Sequence, residues 1–258
     1  MTTGRISRVG MDALRRRVER PEALGLALLL TALAAYGWLA PPFWVAVTVA
    51  IQLALGGFGT VWLVGAAQPR LGYARYATPS IAAVSLTLAG RLLGGLLQLA
   101  AVPLVMLLLF GIVWAELQVA AGRTPRLTVD LSLVGIVFAA AAGVAGVFPG
   151  LSWPPALILV LVIAAIPALR AAELRGSYGV EAVGQAGLHL LAIGQIGAAL
   201  ALLPLPGVVG PAVLALGFHA WAGAAEALDN GSRPWPVVIE FGSLALLGLV
   251  VALLLRGA

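Results

Sequence analysis

Thirteen of the 15 arginines in this chain stand either in the first 20 residues or in every second gap between long apolar runs. The intervening gaps, at Pro41-Pro42, Ala100 to Pro103, Pro149 to Pro155 and Pro204 to Pro211, carry no charge. Basic side chains are retained on the cytoplasmic side when apolar segments insert, so an alternation of this kind is a map of topology. A chain that obeys it folds as a bundle of membrane-crossing segments.

Composition fixes the type of segment. Hydrophobic residues make up 62% of the 258 positions, charged residues 10%, and the mean hydropathy is +1.06, well outside the soluble globular range. The apolar runs are continuous, whereas barrel strands would alternate, so the expected class is all-α: a polytopic membrane protein with helices of about 20 residues. Cysteine is absent and all the basic residues are arginine. That excludes a disulfide framework, a thiolate metal site and a lysine Schiff base. The net charge of +5 comes from arginines that flank apolar runs, which reads as topology and contact with anionic lipid, with no nucleic-acid partner.

Residues 1–21 hold Arg5, Arg8, Arg15, Arg16, Arg17 and Arg20, with Ile6, Val9, Leu14 and Val18 roughly on the opposite helical face. They are expected to form a basic, amphipathic, cytoplasmic segment lying on the membrane surface. Residues 22–258 are expected to form a single domain of nine crossings, at 22–40, 43–66, 79–98, 104–121, 130–148, 155–170, 183–203, 211–228 and 236–255. The stretch from Pro79 to Ala121 is too long for one crossing, and Pro103, preceded by Gly94-Gly95, is taken as the break. The cytoplasmic gaps then hold Arg70 and Arg75, Arg123 and Arg126, Arg170 and Arg175, and Arg233. The N-terminus is cytoplasmic, the C-terminus with Arg256 lies outside, and the expected location is the cytoplasmic (inner) membrane of a prokaryote.

Ionisable groups at membrane depth are costly, and each is a candidate for function. Arg91, inside the third crossing, is expected to grip a lipid phosphate or to pair with a carboxylate such as Glu116. Glu116, Gln118 and Glu240 lie near helix ends, where snorkelling toward the headgroups is expected. His219 and Glu226 stand two turns apart on the eighth crossing, with His189 on the seventh. Such a set can relay protons or bind a metal, but no H-x-x-x-H or E-x-x-H spacing is present, so no metal is assigned. No nucleophile elbow, phosphate-binding loop, dinucleotide fingerprint or H-E-x-x-H motif occurs, and neither a catalytic residue nor a cofactor is assigned from motifs.

Nine helices with the N-terminus inside, opened by Arg20-Pro21, resemble the UbiA superfamily of intramembrane prenyltransferases, most of all its menaquinone branch. Further local cues are Thr31-Ala32-Leu33-Ala34-Ala35-Tyr36 at the end of the first helix, the step Gln52-Leu53-Ala54 in the second, and a short charged loop starting at Arg170 after the sixth. In that family an N-x-x-N-D-x-x-D run follows the glutamine step, and its carboxylates hold Mg²⁺ against a polyprenyl diphosphate. The matching positions here look like Gly56, Gly59, Thr60 and Leu63. A second family motif, R-D-x-E-x-D with a glycine four residues on, looks like Arg170, Ala171, Glu173, Arg175 and Gly179. Every expected aspartate is missing.

The resemblance therefore implies a UbiA-like bundle that has lost its metal site. Ionising an allylic diphosphate in a poorly solvated cavity needs its leaving charge neutralised, ordinarily by carboxylate-held magnesium. Glu173 and Glu181 alone make a poor cage for a cation that wants octahedral oxygen ligands. The expected function is a non-catalytic protein that binds an isoprenoid or quinone lipid, or that partners an active prenyltransferase in a homo- or hetero-oligomer. Arg70, Arg75, Arg123, Arg126, Arg170, Arg175 and Arg233 would ring its cytoplasmic mouth, with Arg91 and Glu173 as further lipid- or phosphate-binding candidates and Gln52, Glu116, His189, His219 and Glu226 as intramembrane polar candidates. Two alternatives stay open: a divergent transferase whose arginines hold the diphosphate, and a small transporter or structural subunit of a membrane complex.

Overall fold

The computed structural model describes residues 20–65, 72–122, 126–148, 150–203, 205 and 207–255. Among them are nine helices: α1 (Arg20–Leu39), α2 (Pro42–Val64), α3 (Ala74–Gly90), α4 (Leu96–Ala120), α5 (Arg126–Val147), α6 (Trp153–Leu174), α7 (Val180–Ala201), α8 (Val209–Asp229) and α9 (Pro234–Leu255). Seven of them, all but α3 and α8, are long and apolar enough to cross a membrane. Exposed aromatic residues gather at both ends of the bundle: Tyr36, Phe43, Trp44 and Trp153 at one, and Trp62, Tyr73, Tyr178 and Trp235 at the other. Rings at these two levels suit the two membrane–water interfaces. Length, hydropathy and this pair of belts define a polytopic membrane helical bundle.

α3 is shorter and more polar than the seven for a physical reason. At 17 residues it is about 25 Å long, and it packs against α1, α2, α4, α5 and α6. A helix walled in by others has little lipid to satisfy, so it can carry Arg75, Thr78, Ser80, Ser85 and Thr87, all buried. α8 departs for a different reason: it carries His219, Glu226 and Asp229. The helices α1 to α4 pack into a closed group, α5 joins that group to α6 and α8, and α7 fills the space between α6 and α8. The last helix, α9, packs on α8 and touches no other helix to a comparable extent.

Two expected boundaries move. Pro79 lies inside α3 and Pro103 inside α4, and neither ends a helix. Proline removes one N–H bond, a loss that neighbouring helices can absorb inside a membrane bundle. The break falls instead at Gly94-Gly95, where Gly95 takes φ +54, a left-handed conformation that side-chain-bearing residues avoid. A second shift concerns the charged gaps. Arg75 lies in the first turn of α3, and Arg170 and Glu173 lie within α6, so none of the three is in a loop. The basic segment before residue 20, together with Arg70, Arg123 and Arg256, lies outside the described residues.

Lipid supplies no hydrophobic drive between helices, so close contact and polar pairing hold the bundle. α2 and α3 show both. A Cβ at Gly56 would stand 2.9 Å from Ser80 Cα, so a larger residue there would push the two backbones apart. Gln52 Nε2 donates to Thr87 Oγ1 at 2.8 Å across the same interface. The hydroxyls of Thr31, Thr48, Thr60, Thr78 and Thr87 each donate to the carbonyl four residues earlier, which satisfies them within their own helices.

Candidate functional site: a buried charge network beside an apolar groove

Four ionisable side chains meet inside the bundle at its arginine-bearing end. Arg170, 1% exposed, sits one turn from the end of α6 and faces Glu116 near the end of α4, also 1% exposed. The contact is bidentate: Arg170 Nη2 donates to Glu116 Oε2 at 2.6 Å and Nε to Oε1 at 3.0 Å. This planar fork matches a carboxylate as lysine could not, and it is the strongest form of such a pair. Arg170 Nη1 also donates to Glu173 Oε2 at 3.3 Å, one turn along the same helix.

The other oxygen of Glu173 reaches a third helix. Its Oε1 accepts the backbone N–H groups of Tyr73, at 2.7 Å, and Ala74, at 3.0 Å, the opening residues of α3. A helix start leaves such donors without intrahelical partners and carries partial positive charge, so a buried carboxylate satisfies both needs. Room for it depends on Gly72, which takes φ +78 and on which any Cβ would land inside the Glu173 carboxyl group. Arg75, in the first turn of α3, donates from Nη2 to Tyr76 Oη; its guanidinium lies over the Tyr76 ring, 4.4 Å from the centroid. Tyr76 Oη donates onward to the Gly65 carbonyl at 3.1 Å. Two arginines and two glutamates thus bring zero net formal charge into the interior and tie together the ends of α3, α4 and α6.

This arrangement revises several expectations. Glu116 does not snorkel, and it pairs with Arg170 where Arg91 was expected. Arg91, at the opposite end of the bundle, donates from Nη1 to the carbonyls of Gly37 at 2.7 Å and Ala40 at 2.8 Å, closing the last turn of α1. Arg75 and Arg170 do not ring a mouth, because both are buried in the network. Arg175, its side chain 7% exposed, and the exposed Arg233 stand at that end. Arg175 Nε donates to Asp229 Oδ2 at 3.1 Å and its Nη2 to Gln185 Oε1 at 2.9 Å, tying α6 to α7 and α8, while Arg233 is exposed just before α9. Arg126 is the first residue of α5.

The two histidines part company. His189 is fully buried; its Nε2–H donates to the Phe218 carbonyl at 3.1 Å and its ring stacks on Phe218 at 4.2 Å between centroids. His219 is exposed and lines, with Asp130, Arg175 and Glu226, a cavity of about 70 Å³ between α5, α6 and α8. Among the described residues no three His, Asp or Glu side chains converge as a metal would need. Gln52 is taken up by Thr87. Sequence reasoning missed Gly72 and Tyr76, although a glycine two residues before a helix with an arginine in its first turn is the available sign of a specialised start.

The small residues along α2 are packed tightly against their neighbours. Gly56 lies against Ser80, a Cβ on Gly59 would stand 2.7 Å from Leu26 Cδ1, and Thr60 is 1% exposed with its hydroxyl bonded to Gly56 O. The space is filled by helix packing.

A larger hollow opens to one side. Between α3, α4 and α5 runs a groove of about 350 Å³, reaching from Ala82 and Leu86 in the middle of α3, past Leu107 and Leu108, to Leu127 and Leu131 at the start of α5. Its lining is apolar except for the hydroxyls of Thr128 and Ser132, both close to the arginine-bearing end. No protein-family model matches the chain, and no curated protein or solved structure matches it.

Proposed function

We propose that this chain is a non-catalytic relative of the UbiA-type prenyltransferases that binds one isoprenoid or quinone lipid chain in the groove between α3, α4 and α5. The observation that carries the reading is the groove itself. Its volume, about 350 Å³, is in the range of small-molecule sites, roughly 300–1,000 Å³, and its polarity is graded, with two hydroxyls at one end and hydrocarbon at the other. A polyprenyl tail needs only the apolar wall, and a quinone carbonyl or other neutral head can accept from the Thr128 hydroxyl, while the Ser132 O–H is already given to the Thr128 carbonyl at 2.7 Å.

Support for catalysis is weaker. A divergent transferase would need arginines free to meet a diphosphate, and Arg170 is already gripped by Glu116 on two sides and by Glu173. Partnership with an active membrane enzyme remains part of the reading. The arginine-bearing end belongs in the cytoplasm of a prokaryotic cell, with the C-terminus outside.

Two measurements test this. The protein purified in mild detergent is expected to carry a polyprenyl lipid or quinone detectable by mass spectrometry. Gly111→Leu and Gly135→Leu fill the groove from opposite walls, and at neither position does a Cβ meet another atom within 4 Å. Both variants are expected to fold and to retain at least about fivefold less lipid, since losing a buried apolar chain segment removes more than 1 kcal/mol. Unchanged lipid content in both, or no isoprenoid in the wild type, overturns the proposal. Topology is read separately, because the chain contains no cysteine. A single cysteine at exposed Asn230 is expected to react with an impermeant maleimide only from the cytoplasmic side, and one at Leu151 only from outside.

A further inference from the structure

Helix α9 is held on one side only. Its contact stripe, Val237, Phe241, Ala245, Gly248 and Ala252, faces α8, and α9 is the least buried of the seven long apolar helices. A second stripe at helical spacing, Pro236, Glu240, Ser243, Leu247, Val251 and Leu254, is exposed along its full length. Toward the outer end this stripe borders a groove of about 330 Å³ against Val209, Ala212 and Leu216 of α8.

Exposed aliphatic residues alone would face lipid. Glu240 changes the case. It lies five residues beyond exposed Trp235, about 7 to 8 Å further along the axis, and so is inside the hydrocarbon if the tryptophan marks the interface. Its carboxylate has no hydrogen-bond or ion-pair partner among the described residues; the neighbouring Ser243 hydroxyl donates to the backbone carbonyl of Glu240 at 2.8 Å. A carboxylate at that depth calls for a cation, and the nearest arginine in sequence, Arg233, stands just before the helix, seven residues from Glu240 and about 10 Å toward the interface.

We propose that the Glu240 face of α9 is the docking surface for a single transmembrane helix of a partner protein, one that carries an arginine or lysine about five residues inside its own interfacial boundary. The partner's apolar ridge lies along Leu247, Val251 and the α8 groove, and its cation meets Glu240. This surface lies on the α8–α9 edge of the bundle, away from the α3–α4–α5 groove, and stands or falls independently of lipid binding there.

The test uses the full chain in phosphatidylcholine vesicles with a donor fluorophore on Leu254→Cys, at the exposed far end of the stripe. The probes are two acceptor-labelled polyleucine transmembrane peptides, one with a single arginine five residues inside its tryptophan-flanked end and one with leucine there. Energy transfer to the arginine peptide is expected to indicate binding about fivefold tighter than to the leucine peptide, and Glu240→Gln to abolish the difference. Glu240→Asp is expected to keep it in part. Equal binding of the two peptides, or a preference that survives Glu240→Gln, overturns the proposal. Transfer between differently labelled copies of the chain that persists on dilution into excess lipid and excludes both peptides also overturns it, because a second copy then occupies the face.

Discussion

Replacing Arg170 by methionine is expected to lower stability by roughly 3–5 kcal/mol, close to the largest effect a single substitution produces. The methionine fills most of the volume, so packing is not the main loss. What remains is Glu116, 1% exposed, with its bidentate partner gone, and Glu173 holding the start of α3 without its counter-charge. Adding Glu116→Leu to Arg170→Met is expected to recover more than half of the deficit, since it removes the stranded charge together with its partner. Reversible unfolding in mixed detergent–SDS micelles, followed by tryptophan fluorescence, gives both numbers. Strictly additive penalties for the two single variants would show that the pair does not act as a unit.

Introducing an aspartate where the resemblance leads one to look for it is expected to harm the protein without arming it. Thr60→Asp is expected to cost about 2.5–3.5 kcal/mol, the typical penalty for a charged side chain inside a membrane helix. Thr60 is buried between α2 and its neighbours, its hydroxyl is committed to Gly56 O, and Gly56 itself is pressed against Ser80. Added Mg²⁺ is expected to leave the unfolding midpoint of this variant unchanged. A midpoint that rose with millimolar Mg²⁺ would mean that a cage for the ion can still form, and the non-catalytic reading would have to be given up.

The helical bundle was legible in the sequence because the signal is local, although seven of the nine helices among the described residues, not all nine, are apolar and long enough to cross. Twenty apolar residues in a row can do little else, and the arginine alternation separates one run from the next. Boundaries were less legible where one residue type has two uses. Proline at 103 looked like a break and proved to be a tolerated interior position, while Gly94-Gly95 ended the run. Arg75, Arg170 and Glu173 looked like loop charges because burial cannot be read from a charged letter. The fate of Arg170 and Glu173 depends on partners 54 to 100 residues away. Likewise Gly56 could be read as a small residue, but not as the point where α2 and α3 press together against Ser80.

The separation of those partners bears on how the molecule is made. Tyr73 and Glu173 are 100 residues apart, and Glu116 waits 54 residues for Arg170. A ribosome that has delivered α3, α4 and α5 has placed a lone carboxylate and an uncapped helix end in or near the bilayer, and only the emergence of α6 cancels them. The first half of the protein is therefore provisional until the second half arrives. A chain cut short before residue 170 leaves both the Glu116 carboxylate and the start of α3 without these partners.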